Sequence, residues 1–565
     1  MEKNNYQPPI RQTPAPPVYT GAPSMNNPAA NPYTPPYPMQ PAQGIEPVPK
    51  PLKKPMRKSK PRDLVMALIV AVMSFAVIDC LFWSGGLGIG FSIGGAVLLF
   101  AALWYLKPSM RKKSVYIAAI ALLCVAGYVS FVFSADSFIK ALTLVSLMIG
   151  YICILMDAMD LRAYAAGTLS SFSDFFYTAF ASSFGKIGQG MYALFHLEKK
   201  EGSKRGKSVA KALIGLAVAL PVVIVLLILL SSGDQAFHGM IDGISFEKFP
   251  EKLLTLFFAV PVFIFLYSQL FSLPDCKREK KEESKKGLDP IILTFFLVGV
   301  SLVYVAYLFS QLAYFFSGFM GFLPDGFTYA EYARRGFFEL SAVSVINIVI
   351  VILADAFSKK KDGRLPLSVK LLSLFLCVFS LVLAGTEIAK MKMYMDSYGL
   401  TRLRILTTIF MIFLAVVFLA LMVHIFVRKF PYFKTAVVVG MLLTIAMNFV
   451  SVDRMVANYN VWAYETGALK TVDVGTISEL GDAAVPALLK LAQDHSGKTA
   501  MLAKHNLCDR WKNLHERGDF DYQKEEFTIK ELKPYDYRGF NLVSYRARQL
   551  LLDNVEVFSD LSAEA

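Results

Sequence analysis

Apolar residues recur along this chain in long unbroken runs separated by shorter polar stretches. Each run is about 18–25 residues, the length at which a helix crosses a hydrocarbon core of about 30 Å. They fall at roughly 64–83, 86–106, 115–135, 138–156, 209–230, 252–273, 290–316, 337–356, 369–386, 405–427 and 434–451. Eleven membrane-spanning helices are predicted. Segments of about ten residues with alternating polarity, which a membrane barrel would need, are not found. The fold class expected is therefore all-α, a polytopic transmembrane helical bundle over residues 63–451.

The two flanks read differently. Residues 1–62 hold 17 of the 28 prolines. Such a segment buries too little apolar surface to offset its ordering entropy, so a disordered Pro-rich tail is expected. It lacks the apolar core of a signal peptide. It closes in a basic collar, Lys50, Lys53, Lys54, Arg57, Lys58, Lys60 and Arg62. Past Ser451 the hydropathy falls, and residues 452–565 read as a small, mostly helical soluble domain. Asp482 is expected to cap the helix AAVPALLKLAQ, with amphipathic helices at 498–516 and 541–552.

Composition agrees with the pattern. The 565 residues are 55% hydrophobic and 18% charged, with a mean hydropathy of +0.46, against about 25% charged in a typical soluble chain. The net charge of +14 would suggest nucleic acid in a soluble protein. Here the basic residues cluster beside apolar spans, in Arg111 to Lys113, Lys199 to Lys211, Lys277 to Lys286 and Lys359 to Arg364, as the positive-inside rule requires. The partner implied is the lipid bilayer and not nucleic acid. The tail is placed in the cytoplasm and, with an odd span count, the C-terminal domain outside. The six cysteines imply no disulfide framework.

Two stretches break the simple alternation. Phe172, Phe175, Phe176, Phe180 and Phe184 recur at helical spacing opposite Ser173, Asp174 and Ser182, an amphipathic pattern expected to lie along the inner interface. In the seventh span Ser301, Tyr304, Tyr307, Gln311 and Tyr314 form one polar stripe. Polar groups in lipid face the bundle interior or a wet cavity, so the stripe either lines a pathway or hydrogen-bonds other helices.

Charged candidates gather at the outer membrane edge. Glu331, Arg334, Arg335 and Glu339 sit three and four residues apart, spacing that suits intrahelical pairing or, through arginine's planar fork, a phosphate or carboxylate clamp. Glu387, Lys390, Lys392, Asp396, Tyr398, Arg402 and Arg404 read as the loop joining spans nine and ten. Asp453, Arg454, Asn458, Tyr459 and Asn460 come directly after the last span. If the three groups meet, they form one polar site beneath the C-terminal domain. No phosphate loop, dinucleotide fingerprint or zinc-protease motif is present, so no catalytic residue and no cofactor is assigned. His505, Cys508 and His515 share a helical face but lack a fourth ligand, so no metal is expected. The glycines 85, 86, 88, 90, 94 and 95 sit in an apolar run, where close helix packing is the plainer reading. Asp79 and Asn347, alone inside spans, read as interhelical hydrogen-bonders or proton carriers, Asp79 being the better proton candidate because it can titrate.

With these residues in view, the chain resembles an uncharacterised family of bacterial multi-pass membrane proteins, domain of unknown function 4173, related to domain 4153. The likeness lies in LLSSGDQAF (229–237), EYARRGFFEL (331–340), YGLTRLRIL (398–406), NFVSVDRMVANYN (448–460) and LGDAAVPALLKL (480–491). It implies the architecture and a bacterial cytoplasmic membrane, but no mechanism or catalytic residues. Three function classes remain open: an envelope structural or signalling partner protein, a transporter or lipid-handling protein, and a membrane-embedded enzyme acting on a lipid-linked substrate.

Overall fold

The computed structural model describes residues 57–83, 86–111, 114–164, 169–196, 249–281, 287–320, 337–360, 364–494, 496–521 and 526–558, with side chains at all of these except 249–250, 311–320, 516–521 and 526–530. In chain order the bundle elements are α1 (Pro61–Trp83), α2 (Ile89–Leu106), α3 (Val115–Ser130), α4 (Ser137–Ala158), the short α5 (Ser170–Phe176) and α6 (Ile187–Phe195), α7 (Phe249–Ser272), α8 (Pro290–Met320), α9 (Phe337–Phe357), α10 (Leu367–Tyr398), α11 (Arg402–Phe426) and α12 (Tyr432–Val450). Ten of these are long and apolar enough to cross a membrane, and they coincide with ten of the eleven expected spans. The span expected at 209–230 lies outside the described residues.

The remaining elements are α13 (Val452–Glu465), α14 (Val474–Ser478), α15 (Val485–Asp494), α16 (Gly497–Asn513), strands β1 (His515–Asp521) and β2 (Glu526–Leu532), and α17 (Leu542–Asp553). The antiparallel pair of β1 and β2 is the one two-stranded sheet among the described residues, beside an isolated parallel bridge between Leu288 and Ser358. Its first strand takes over where the expected helix at 498–516 stops short. Asp482 does not cap α15: it lies inside a short 3₁₀ turn, Gly481–Ala484.

Local chemistry sets several boundaries. Ser114, Asp136 and Thr401 each accept a backbone N–H from the third residue on, starting α3, α4 and α11. α10 runs 32 residues, about 48 Å at 1.5 Å per residue, so it extends past any hydrocarbon core. The stretch expected as a charged loop, 387–398, is the projecting end of this helix. The real connection is Gly399 to Thr401. Gly399 has φ +75°, and a Cβ there would lie 2.5 Å from Asn460 Oδ1; only glycine fits. Ser451, at φ 53°, breaks α12 from α13.

The bundle has two distinguishable ends. At the Pro61 end the Ser59 N–H donates to the His196 carbonyl at 2.9 Å, and Arg57 reaches Asp275 beyond α7 at 3.2 Å. At the Trp83 end Lys252, near the start of α7, pairs with Asp79, so α7 runs antiparallel to α1. The region after Ser451 packs on this Trp83 end. Its apolar core, built on Val456, Ile477, Val485, Leu488 and Leu507, also takes in Ile139 of α4 and Met447 of α12. The described residues all belong to one compact unit, Met56–Ala565. Large apolar side chains point outward along the spans, Leu68, Phe295 and Phe309 among them, as expected where lipid is the solvent.

The phenylalanine-rich stretch is arranged the opposite way to a soluble amphipathic helix. Asp174, Thr178, Ser182 and Ser183 are buried, while Phe176, Phe180 and Phe184 are exposed. Gln269 and Ser272 of α7 donate to the carbonyls of Thr178 at 3.1 Å and Ser182 at 3.0 Å. The polar face thus satisfies the bundle, while Phe172 and Phe175 pack on Phe433 of α12 and Phe176, Phe180 and Phe184 stay exposed.

The glycines of α2 pack closely, but not only against helices. A Cβ on Gly95 would strike the Tyr128 ring of α3. One on Gly88 would lie 2.4 Å from the backbone of Gly539, in the turn before α17. Beside it the Ile89 N–H donates to the Phe540 carbonyl at 3.0 Å. Gly88→Val is expected to lift this turn off α2 at a cost of about 1–3 kcal/mol, the usual penalty of overpacking. Protease sensitivity of residues 533–541 in detergent-solubilised protein checks this; cleavage as slow as wild type would mean the two backbones need not touch.

Candidate functional site

The second and third charged groups meet. Arg402 opens α11, and its Nε and one terminal nitrogen donate to the two carboxylate oxygens of Asp453, both at 2.7 Å. The same Nε lies 2.9 Å from Asp136 Oδ2, an ion pair whose angle does not make a hydrogen bond. One guanidinium therefore serves two acids, and both carboxylates are at least 96% buried. The Asp453 carboxyl is held above the ordinary range: burial raises it, Arg402 pulls it down, and the charge of Asp136 pushes it up again.

Around this clamp the backbone is held by side chains. Asn460 accepts from the Leu400 N–H at 2.7 Å and donates to its carbonyl at 2.8 Å, fixing the turn that presents Arg402. Arg404 folds back to donate to the carbonyls of Gly399 at 2.5 Å and Tyr398 at 3.2 Å, and stacks 3.8 Å above the Tyr394 ring. It satisfies the open C-terminus of α10. Tyr398 is exposed. Arg454 is exposed too, on the face of α13 away from Asp453. Glu339 is exposed on the first turn of α9, whereas Arg334 and Arg335 lie outside the described residues.

Glu387 stands apart from the clamp. It is fully buried in α10, its Oε1 3.4 Å from Lys390 Nζ; Oε2 has no hydrogen-bond partner among the described residues. Ser301 and Tyr304 of the polar stripe face the bundle interior. The Tyr304 hydroxyl donates to Asn347 Oδ1 of α9 at 2.7 Å, and Asn347 Nδ2 donates to Ser380 Oγ of α10 at 2.9 Å. Tyr304 also stacks on Phe379 with centroids 4.2 Å apart. Ser301 is buried and Tyr307 meets Phe379 edge-on; the side chains of Gln311 and Tyr314 are not among those described.

Sequence reasoning missed most of the acids that matter. At the Pro61 end Asp63 takes Arg57 at 3.2 Å and the Tyr105 hydroxyl at 2.6 Å. Asp157 joins Arg162 at 2.6 Å and Lys434 at 2.5 Å. Asp174 takes Arg278 at 2.5 Å plus the N–H groups of Ala163 and Tyr164, and Asp355 gathers Arg428, Lys360 and His424. At the other end Asp79, read as an interhelical hydrogen-bonder, accepts from Lys252 of α7 and also pairs with Arg538 at 2.5 Å. Hydrogen bonds to Asp536, with Asp79 adding, hold the Arg538 guanidinium above its ordinary value. For Asp63, Asp79, Asp157 and Asp355 the available signal was a position near the edge of an apolar run, which demands a counter-charge.

Among the described residues no group of three or more His, Cys, Asp or Glu side chains is placed to hold a metal ion. His505 faces Asp509 at 3.6 Å, and Cys508 is buried. The geometry assembles charge pairing between distant segments. Fold and site define a helical protein built to pass through a membrane many times, with an extramembrane region bound to one end of its bundle. Residues 117–491 match the family described as domain of unknown function (DUF4153), and the chain belongs to that family. No curated protein and no solved structure matches it.

Arg402→Ala leaves two buried acids without their cation, an expected loss of about 3–5 kcal/mol. Asp136→Asn keeps the α4 cap and relieves like charge, so it is expected to be tolerated. Thermal unfolding in detergent compares them; equal losses would overturn the shared clamp. Because Asp453 binds its proton at higher pH folded than unfolded, this group favours folding as pH falls through its raised value towards about 3.9, and disfavours it as pH rises through the same window. Asp453→Asn is expected to flatten that part of the Tm against pH curve.

Proposed function

We propose that this protein is a structural or signalling partner in the envelope of a bacterial cell. It sits in the cytoplasmic membrane with residues 1–62 in the cytoplasm and the region after Ser451 outside. The observation that supports this reading is the double anchorage of that region. Arg402 joins α11 to α13 and α4, and Arg538 joins the turn before α17 to α1. Charged groups with the chemistry to bind a ligand instead hold an extramembrane module rigidly against the spans, where a bound partner would be coupled to the bundle. The resemblance to domain 4173 supports the bacterial setting. The reading of an arginine clamp for a lipid-linked substrate falls on Arg334 and Arg335, which lie outside the described residues.

Crosslinking in cells tests the reading. Complexes recovered with the full chain are expected to be lost on deleting residues 1–49, or on Trp462→Ala, which changes an exposed side chain of α13. Recovery unchanged by both alterations would count against a partner role. Orientation is tested separately. All six native cysteines are buried, so a cysteine introduced at the exposed positions Lys107 or Lys498 is the reporter. A membrane-impermeant maleimide is expected to label Lys498→Cys and spare Lys107→Cys in intact cells, and the reverse would invert the topology.

A further inference from the structure

Buried polar side chains recur along α8, α9 and α10, and two sets of them join these helices. At the Pro61 end, Thr294 and Ser368 hydroxyls meet at 2.8 Å, with Ser368 exposed. Further along come Ser301 and Ser373, then the Tyr304–Asn347–Ser380 chain, then Ser344, and finally Glu387 beside Lys390. On α10 the residues Ser373, Ser380 and Glu387 recur every seventh position, which keeps them on one helix face. From Ser368 to Glu387 the helix rises about 28 Å, close to the full hydrocarbon thickness of about 30 Å.

Hydrogen bonding between helices explains Tyr304, Asn347 and Ser380. It does not explain the rest. The hydroxyls of Ser301, Ser344 and Ser373 and the Oε2 of Glu387 have no hydrogen-bond partner among the described residues, although each residue is at least 92% buried. Buried polar atoms are costly unless paired, and four of them on the three helices that Tyr304, Asn347 and Ser380 join, each with spare capacity, suit a file of water. Serine and tyrosine hydroxyls both donate and accept, so such a file can relay a proton. An ionisable group inside a membrane marks such relays.

We propose that this seam is a hydrated proton path through the bundle, with Glu387 as the group that takes up and releases the proton. This goes beyond the partner role and stands independently of it. Uptake forms an O–H bond on one Glu387 carboxylate oxygen. Release breaks that bond and passes the proton to the next water or hydroxyl, each of which accepts one proton and gives up another. Glu387 is faced by Lys390 on its own helix, by the Glu339 charge on α9 and by the Tyr307 hydroxyl on α8. The α11 side is apolar, with Met411 and Leu414. Lys390 balances the carboxylate when the proton has left.

Full-length protein in liposomes containing a pH-sensitive dye, with potassium and valinomycin clamping the potential, provides the test. Wild type is expected to dissipate an imposed pH step faster than protein-free vesicles, and Glu387→Gln to fall back to the protein-free rate. Ser373→Ala removes only a hydroxyl with no hydrogen-bond partner among the described residues, so its folding is not at stake. It is expected to slow the flux, while Asp396→Asn, at an exposed position outside the seam, leaves it unchanged. Wild-type flux equal to that of empty vesicles overturns the proposal, as does wild-type flux in Glu387→Gln. Should Glu387→Gln fail to fold, as judged by size exclusion, undiminished flux in Ser373→Ala overturns it instead.

Discussion

A carboxylate at the edge of a lipid-embedded bundle has to find a cation, and the rest of this structure depends on how it does so. Taking an ion out of water costs several kcal/mol even after relaxation, so each acid draws in a basic group from elsewhere in the chain. Asp157 brings the end of α4 to Lys434 at the start of α12. Asp355 ties the end of α9 to Arg428 beyond α11. Asp174 joins α5 to Arg278 after α7. These contacts set which helix ends are neighbours, while the lipid-facing surfaces between them carry little specificity.

The same constraint unites the membrane spans with the region after Ser451. Arg402 holds α13 through Asp453, and Arg538 reaches back to Asp79 across 459 residues of sequence. Close backbone contact at Gly88 and a shared apolar core reinforce the junction. The extramembrane region is thereby a continuation of the bundle's Trp83 end. A change in one would be felt in the other without a hinge between them.

Inside the bundle the polar groups divide into two kinds. Tyr304, Asn347 and Ser380 are matched donor to acceptor and bind three helices together. Ser301, Ser344, Ser373 and Glu387 share that interface without being matched. A purely structural network gains nothing from half-satisfied members, since each adds desolvation cost without rigidity.

Much of the architecture was legible from composition. Ten described spans sit where unbroken apolar runs of bilayer length put them, because in lipid a helix must satisfy its own backbone and so depends only on local sequence. That Tyr304 bonds to another helix follows from a separate rule, that polar side chains in lipid seek protein partners. The length of α10 was not legible, because charged residues such as Lys392 and Asp396 look like loop in a hydropathy profile yet pair four apart on a helix. Nor was the burial of Asp174 opposite an exposed row of phenylalanines, since amphipathic periodicity gives two faces without saying which one meets protein. The clamps at Asp79, Asp136 and Asp453 belong to tertiary structure alone. An ion pair between residues far apart leaves no periodic trace in either segment, and only the packed bundle decides which acid meets which cation.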